Sequence, residues 1–295
     1  MARILISTPL LEGCLDPLAA HELVFGEPGS DARAEALICA PTQPVDAGAQ
    51  ARMPELRVIA VAGAGADAVD ARAAQERGVV VLTAGEGLVE TTADLAFGLM
   101  IAASRLMGDA ERRLRAGEWS GWRFLDELGR EVHGAELGLV GFGAIGQAVA
   151  RRAAAFAMNV RHHTRHPTGL AGWVEDLDEL LGGSDVVSLH VPLSASTAGL
   201  IDARRIALLK PTAVLVNTAR GAVLDEAALA SALESGALFA AGLDVYAEEP
   251  AVSARLLAAP RTVLLPHIGS ATERARRAML AGAAVKVAAY LAAAP

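Results

Sequence analysis

The chain alternates throughout between short aliphatic runs and alanine-rich stretches long enough for a helix. Alternation of this kind folds as a parallel sheet covered by crossover helices. The early runs are Arg3–Ile6, Ala36–Cys39, Arg57–Ala60 and Val79–Leu82. The later ones are Leu137–Val140, Asn159–His163, Asp185–Val191, Ala213–Asn217, Phe239–Asp244 and Thr262–Leu265. A length of 295 residues suits two domains at about 100–200 residues each. The expected fold class is α/β, with two doubly wound parallel-sheet domains. No short-period repeat or low-complexity linker interrupts the pattern.

Hydrophobic residues at 53% supply a core and exclude wholesale disorder. A net charge of -8 argues against nucleic acid as a partner, since phosphate contacts need a basic surface. The best continuous apolar run, Leu95–Ala103, is short for a membrane span, and the start reads as a strand rather than a secretory signal. The two cysteines, Cys14 and Cys39, form no metal-binding pattern and read as buried thiols of a reducing, cytoplasmic compartment.

Thr91–Arg115 reads as one long helix, with Thr91-Thr-Ala-Asp94 as its capping signal and apolar residues on nearly all sides. After it, Trp119, Trp122 and Phe124 crowd a glycine-containing loop in a chain with only 4% aromatics. That loop either folds onto its own domain or meets a second copy of the chain.

The strongest local signal is Leu137-Gly-Leu-Val-Gly141-Phe142-Gly143-Ala144-Ile145-Gly146. An apolar strand enters GxGxxG and an alanine-rich helix leaves it. Gly141 makes the tight turn, Gly143 admits a pyrophosphate to the backbone, and Gly146 permits close helix–strand packing. Dinucleotide binding follows. An NAD site wants a carboxylate at the end of the next strand. Here Thr164 and Arg165 stand there instead, in a cluster with Arg161 and three histidines. A guanidinium and a hydroxyl suit a 2′-phosphate, so NADP is expected over NAD.

Chemically capable residues recur at the carboxyl ends of later strands, where open α/β sheets bind ligands. They are Arg220, the acidic segment Asp244–Glu249, and His267. The set suits hydride transfer to a 2-oxo acid. Arg220 can clamp a carboxylate and polarise the neighbouring carbonyl. His267 can donate the proton the new alkoxide needs. Glu249 can orient the imidazole and stabilise its protonated form.

These strings resemble the D-isomer-specific 2-hydroxyacid dehydrogenase family over nearly the whole chain. The matching pieces are Val61–Asp67, Gly138–Gly146, His190–Ser194, Val216–Gly221, Ala241–Pro250 and Leu265–Ser270. The resemblance implies a Rossmann cofactor domain, 89–267, inserted into a flavodoxin-like substrate domain, 1–88 plus 268–295. It implies that Arg220, Glu249 and His267 are catalytic. Thr218, Ala219, Asp244, Gly269, Val191 and Pro192 would line the cofactor, along with Arg220 and His267. Ala64 and Gly65 would offer N–H groups to the substrate carboxylate beside Arg220 and His267. No metal is implied, and a homodimer is.

Val89–Ala96, Gly121-Trp122 and His163–Arg165 look most like NADPH-dependent glyoxylate/hydroxypyruvate reductases. The expected reaction is reduction of a small 2-oxo acid to the D-2-hydroxy acid, and the reverse. An alternative is an NAD-dependent dehydrogenase of another hydroxy acid such as 3-phosphoglycerate. Val61 in place of Arg and a chain stopping at Pro295 without a regulatory domain weaken it. A second alternative is a dinucleotide-sensing scaffold without significant catalysis, which the lack of appended tails disfavours. The substrate side chain is expected to meet Ser7–Leu11, Val61–Ala64 and Gly85–Leu88. Ala157 stands where relatives often carry Gly, with no functional meaning expected.

Overall fold

The computed structural model describes residues 1–9 and 11–293, so Leu10, Ala294 and Pro295 lie outside the described residues. The chain divides into two compact units, Met1–Thr91 with Ser270–Pro295, and Thr92–Gly269. The division thus falls at 91/92 and 269/270 rather than 88/89 and 267/268. The shift at the second boundary has a physical cause: a side chain of the second unit, Asp244, holds the N–H groups of Ile268 and Gly269.

The first unit is built on a parallel sheet of β1 (Arg3–Ser7), β2 (Glu22–Phe25), β3 (Ala36–Cys39), β4 (Val58–Val61) and β5 (Val80–Thr83). Their order is β2-β1-β3-β4-β5. Strand β2 was not expected, although Leu23-Val-Phe25 is a short apolar run; it lies at the sheet edge, half-exposed. Helices α1 (Ala47–Ala51) and α2 (Ala71–Glu76) are capped by Asp46 and Asp70. Leu5, Leu37, Ile59 and Met53 form the core. Cys14 and Cys39 are buried free thiols, and burial pushes Cys39 up to about 12.

The expected helix Thr91–Arg115 is two helices, α3 (Val89–Ser104) and α4 (Met107–Arg115). Leu106 between them has φ 54, a left-handed backbone that breaks the run. The N–H of Arg130 takes the carbonyl of Ser104 at 2.7 Å, and a Cβ on Gly129 would sit 2.6 Å from that oxygen. The incoming loop therefore occupies the end of α3. Because α3 starts at Val89, Thr91–Asp94 lies inside it and caps nothing; Asp94 pairs with Arg152 instead. The turn at Glu86–Leu88 runs into α3, giving a helical stretch of 19 residues, Glu86–Ser104. By length and composition it could cross a membrane, but half of it is buried inside the fold, as a core helix would be.

The second unit's strands are β6 (Glu136–Val140), β7 (Asn159–His163), β8 (Val186–Leu189), β9 (Val214–Asn217), β10 (Ala240–Leu243) and β11 (Thr262–Leu264). All pair in parallel, in the order β11-β10-β9-β8-β6-β7. Strands β8, β9 and β10 are buried along their whole length, which explains their continuous apolar runs. The helices are α5 (Ala144–Ala155), α6 (Leu177–Gly183), α7 (Ala203–Ile206), α8 (Glu226–Ser235) and α9 (Ala254–Ala258). Helix α10 (Glu273–Ala293) returns the chain to the first unit, where Lys286 bonds the carbonyl of Thr83. Ala157 has φ 52, a conformation glycine enters without a Cβ penalty.

Candidate active site

The order of the second sheet reverses at β6, which has β7 on one side and β8 on the other. A crevice opens at such a point, outside the carboxyl ends of the strands. The glycine motif enters it. Gly141 has φ 95, and a Cβ there would lie 2.5 Å from the carbonyl of His190. A Cβ on Gly146 would meet the carbonyl of Gly141 at the same distance. Nothing stands within 4 Å of a Cβ built on Gly143, and this residue caps α5 without a side chain. The N–H groups of a 12-residue helix thus face a bare glycine turn, a cradle for a pyrophosphate. Phe142 stacks on His162, ring centroids 3.7 Å apart, and Ala144 and Ile145 open the helix. Val191 comes within 3.0 Å of the Gly141 Cβ position, and the Pro192 carbonyl takes the Thr197 hydroxyl at 2.6 Å.

At the end of β7 the basic cluster is smaller than its sequence suggests. Arg161 is paired with Glu179. His162 is fully buried, and burial lowers its pKa, so it stays neutral. Arg165 remains, donating to Ser196 Oγ at 2.6 Å from across the crevice loop. Thr164 Oγ1 donates to the carbonyl of His166. Ser196 was not foreseen; nothing in its local sequence marks it, because it arrives from the loop after β8.

On the other side of the sheet, Asn217 at the end of β9 is fully buried. Its Oδ1 takes the N–H of Ala219 and its Nδ2 donates to the carbonyl of Arg220, both at 3.0 Å, which shapes the Thr218–Arg220 turn. Arg220 Nη1 rests on the carbonyl of Ala219 at 2.7 Å. Among the described residues Thr218 Oγ1 is buried without a hydrogen-bond partner, an orphaned polar atom where a cofactor ring is expected. A Cβ on Gly221 would fall 1.8 Å from the carbonyl carbon of Tyr246. The Arg220 turn therefore lies directly against the Tyr246–Glu249 loop.

Glu249 Oε1 accepts the N–H of Tyr246 at 3.0 Å and its Oε2 meets His267 Nδ1 at 2.7 Å. Both side chains are about a quarter to a third exposed, at 26% and 30%. His267 has φ 54. Asp244, only 1% exposed, accepts from Ile268 and Gly269 at 2.7 Å each. Burial pushes its pKa up, while those two N–H groups pull it down. Tyr246 and Glu226 are supports the sequence did not single out. The Tyr246 hydroxyl donates to the Leu265 carbonyl at 3.0 Å, and Glu226 Oε1 accepts from Ala247 at 2.7 Å. Burial raises the Glu226 pKa, with Glu248 and Glu249 adding to it. Ala64 and Gly65 belong to the first unit, in the loop after β4, with the Ala64 backbone against Gly85.

Residues 97–269 match the family described as "D-isomer specific 2-hydroxyacid dehydrogenase, NAD binding domain". The chain belongs to the D-isomer-specific 2-hydroxyacid dehydrogenases. It is 42% identical over 254 residues to a glyoxylate reductase of Thermococcus litoralis, covering 83% of this chain and 77% of that one. It is 41% identical over 248 residues to a D-3-phosphoglycerate dehydrogenase of Mycobacterium leprae, covering 82% of this chain and 46% of that one. The NADPH-dependent glyoxylate/hydroxypyruvate reductase of Sinorhizobium meliloti, solved with NADP and malonate, superposes with a TM-score of 0.89 at 35% identity, covering 99% and 94% of the two chains. The protein is thus an NAD(P)-dependent oxidoreductase of small 2-oxo and 2-hydroxy acids.

Gly221→Ala is expected to lower stability by at least about 2 kcal/mol, since the added methyl meets rigid backbone. Denaturant unfolding measures it, and an unchanged midpoint would contradict the close approach of the two loops.

Proposed function

We propose that this dehydrogenase reduces small 2-oxo acids of the glyoxylate and hydroxypyruvate kind to D-2-hydroxy acids, using NADPH. The observation that carries the chemistry is the 2.7 Å contact between His267 Nδ1 and Glu249 Oε2. With Nδ1 committed to the carboxylate, Nε2 is the nitrogen left to exchange a proton with substrate. The reduced nicotinamide supplies the hydride to the carbonyl carbon. Arg220 holds the substrate carboxylate and polarises the carbonyl. His267 gives its proton to the carbonyl oxygen as that becomes the hydroxyl, and Glu249 sustains the charge on the ring. Ala64 and Gly65 are assigned to the substrate carboxylate on resemblance. Thr218, Ala219, Asp244 and Gly269 are assigned to the nicotinamide side. The pyrophosphate is assigned to the Gly141–Gly146 turn, and the 2′-phosphate to Arg165 with Thr164.

We also assign the exposed aromatic loop to a second copy of the chain. Trp122 and Phe124 are each 79% exposed and meet edge to face, so the loop is not tucked onto its own unit. Aromatic surface of this kind marks interfaces.

His267→Ala and Arg220→Ala should each lower turnover by at least ~10² while leaving NADPH affinity nearly unchanged. Glu249→Gln should move the pH limit of reduction downward, as the protonated ring loses its counter-charge. Near-normal turnover in both alanine variants, or an unmoved pH profile, would refute these roles. Arg165→Ala should weaken NADPH at least ~10-fold and NADH less than ~2-fold in fluorescence titrations; equal losses would assign Arg165 to general electrostatics. Sedimentation should give twice the chain mass, falling to one in a Trp122→Glu, Phe124→Glu double variant. A wild-type monomer would remove the assembly.

A further inference from the structure

Arg165 stands on the loop after β7 and Ser196 on the loop after β8. Strands β7 and β8 flank β6 in the sheet, and β6 runs into the glycine turn. The 2.6 Å contact from Arg165 Nη2 to Ser196 Oγ therefore links the loops on either side of the strand that leads to the pyrophosphate cradle. The contact does not stop at Ser196. Its hydroxyl lies 3.0 Å from Ser194 Oγ, which lies 3.0 Å from Thr197 Oγ1. Thr197 Oγ1 reaches the carbonyl of Pro192 at 2.6 Å. Three hydroxyls thus join one guanidinium to one backbone carbonyl. Next to Pro192, Val191 comes within 3.0 Å of the Gly141 Cβ position, so the series is anchored on the wall of the cradle.

A count of protons gives this series a direction. A hydroxyl has one proton to give and two lone pairs to receive with. The Pro192 carbonyl can only accept, so Thr197 gives its proton there; the other carbonyl in reach, that of Ser194, is farther at 3.4 Å. Both lone pairs of Thr197 Oγ1 then go to Ser194, one to its N–H at 2.8 Å and one to its hydroxyl. With its own proton committed to Thr197, Ser194 receives the proton of Ser196. Ser196 is left with lone pairs, and a guanidinium, which has donors only, is the partner they suit. Bonds aligned in one sense polarise and strengthen one another. Arg165 is exposed, and a loose arginine surrenders much rotamer freedom when it grips an anion. Here one N–H of the guanidinium is already held, and the others remain for the oxygens of an anion.

We propose that Ser196, Ser194 and Thr197 are positioning residues for coenzyme selection: anchored on the Pro192 carbonyl, they set the Arg165 guanidinium in advance for the 2′-phosphate. The proposal rests on the NADPH reading above and extends it to the loop after β8. It makes position 196 a switch. A carboxylate there would engage the same guanidinium and repel the phosphate.

The probes are ADP-ribose and its 2′-phosphate, which lack the nicotinamide and cannot turn over. Calorimetric titration of the full chain gives a Kd for each. Ser196→Ala and Thr197→Val should each weaken the phosphorylated probe about 3–10-fold and ADP-ribose less than ~2-fold. Thr197→Ser, which keeps the hydroxyl, should restore binding. Ser196→Glu should weaken the phosphorylated probe at least ~30-fold and leave ADP-ribose the tighter ligand. In an Arg165→Ala background, Ser196→Ala and Thr197→Val should change neither Kd by more than ~2-fold, because the group they position is gone. A loop merely loosened by the substitutions would lower both affinities in both backgrounds, and that result overturns the relay. So does an unchanged preference in Ser196→Ala and Ser196→Glu while Arg165→Ala remains selective. If Arg165→Ala weakens both probes equally, the NADPH reading itself falls, and the relay with it.

Discussion

The geometry of the candidate site depends on one buried carboxylate. Asp244 follows β10 directly and accepts two consecutive N–H groups, from Ile268 and Gly269, each at 2.7 Å. A charge held at 1% exposure is costly unless both oxygens are satisfied. Here they are, and the carboxylate grips the segment after β11 as a result. Gly269 is held a second time through its carbonyl, by Thr92 Oγ1 at 3.2 Å. Just before this clamp, His267 takes φ 54, a backbone that costs a non-glycine residue about 1–2 kcal/mol. Such strain persists only where the surroundings over-determine it. The imidazole therefore meets Glu249 because its main chain is fixed on the far side.

The glycines do the complementary work of bringing loops together. Gly221 lets the turn carrying Arg220 rest on Tyr246, the residue whose N–H anchors Glu249. Arginine, carboxylate and imidazole come from three separate strand ends. Two contacts fix the loops that carry them, the Asp244 clamp and the Gly221 approach. Asn217 adds a third constraint by fixing the turn from below.

Parallel strands buried on both faces write themselves as aliphatic runs, so β8, β9 and β10 were legible, though the run at Asp185–Val191 overshoots β8 at both ends. The edge strand β2, a partly exposed run of only three apolar residues, was not. The break at Leu106 was hidden because it is imposed by a loop more than twenty residues further on, Gly129–Arg130, which has no local signature in α3. The chemistry-bearing residues stood out because their types are rare among aliphatics at strand ends. Their supports, Asn217, Tyr246 and Glu226, look like ordinary polar residues until the contacts are seen. Ala157 shows the opposite case: a place where relatives often carry Gly, given no meaning in sequence terms, has a backbone reason in its left-handed φ.

The proposed coenzyme preference turns on the charges at the end of β7. Two arginines and three histidines suggest a strongly positive pocket. The folded chain cancels much of it, since Glu179 engages Arg161 and burial keeps His162 neutral. On the proposed NADPH reading, what meets the 2′-phosphate is the Arg165 guanidinium, steadied by the Ser196 hydroxyl. One charge-assisted contact contributes about 1.5–3 kcal/mol, which is a preference of roughly 10–100-fold. Under that proposal the preference rests on a single side chain on an exposed loop, not on the glycine turn that both coenzymes share.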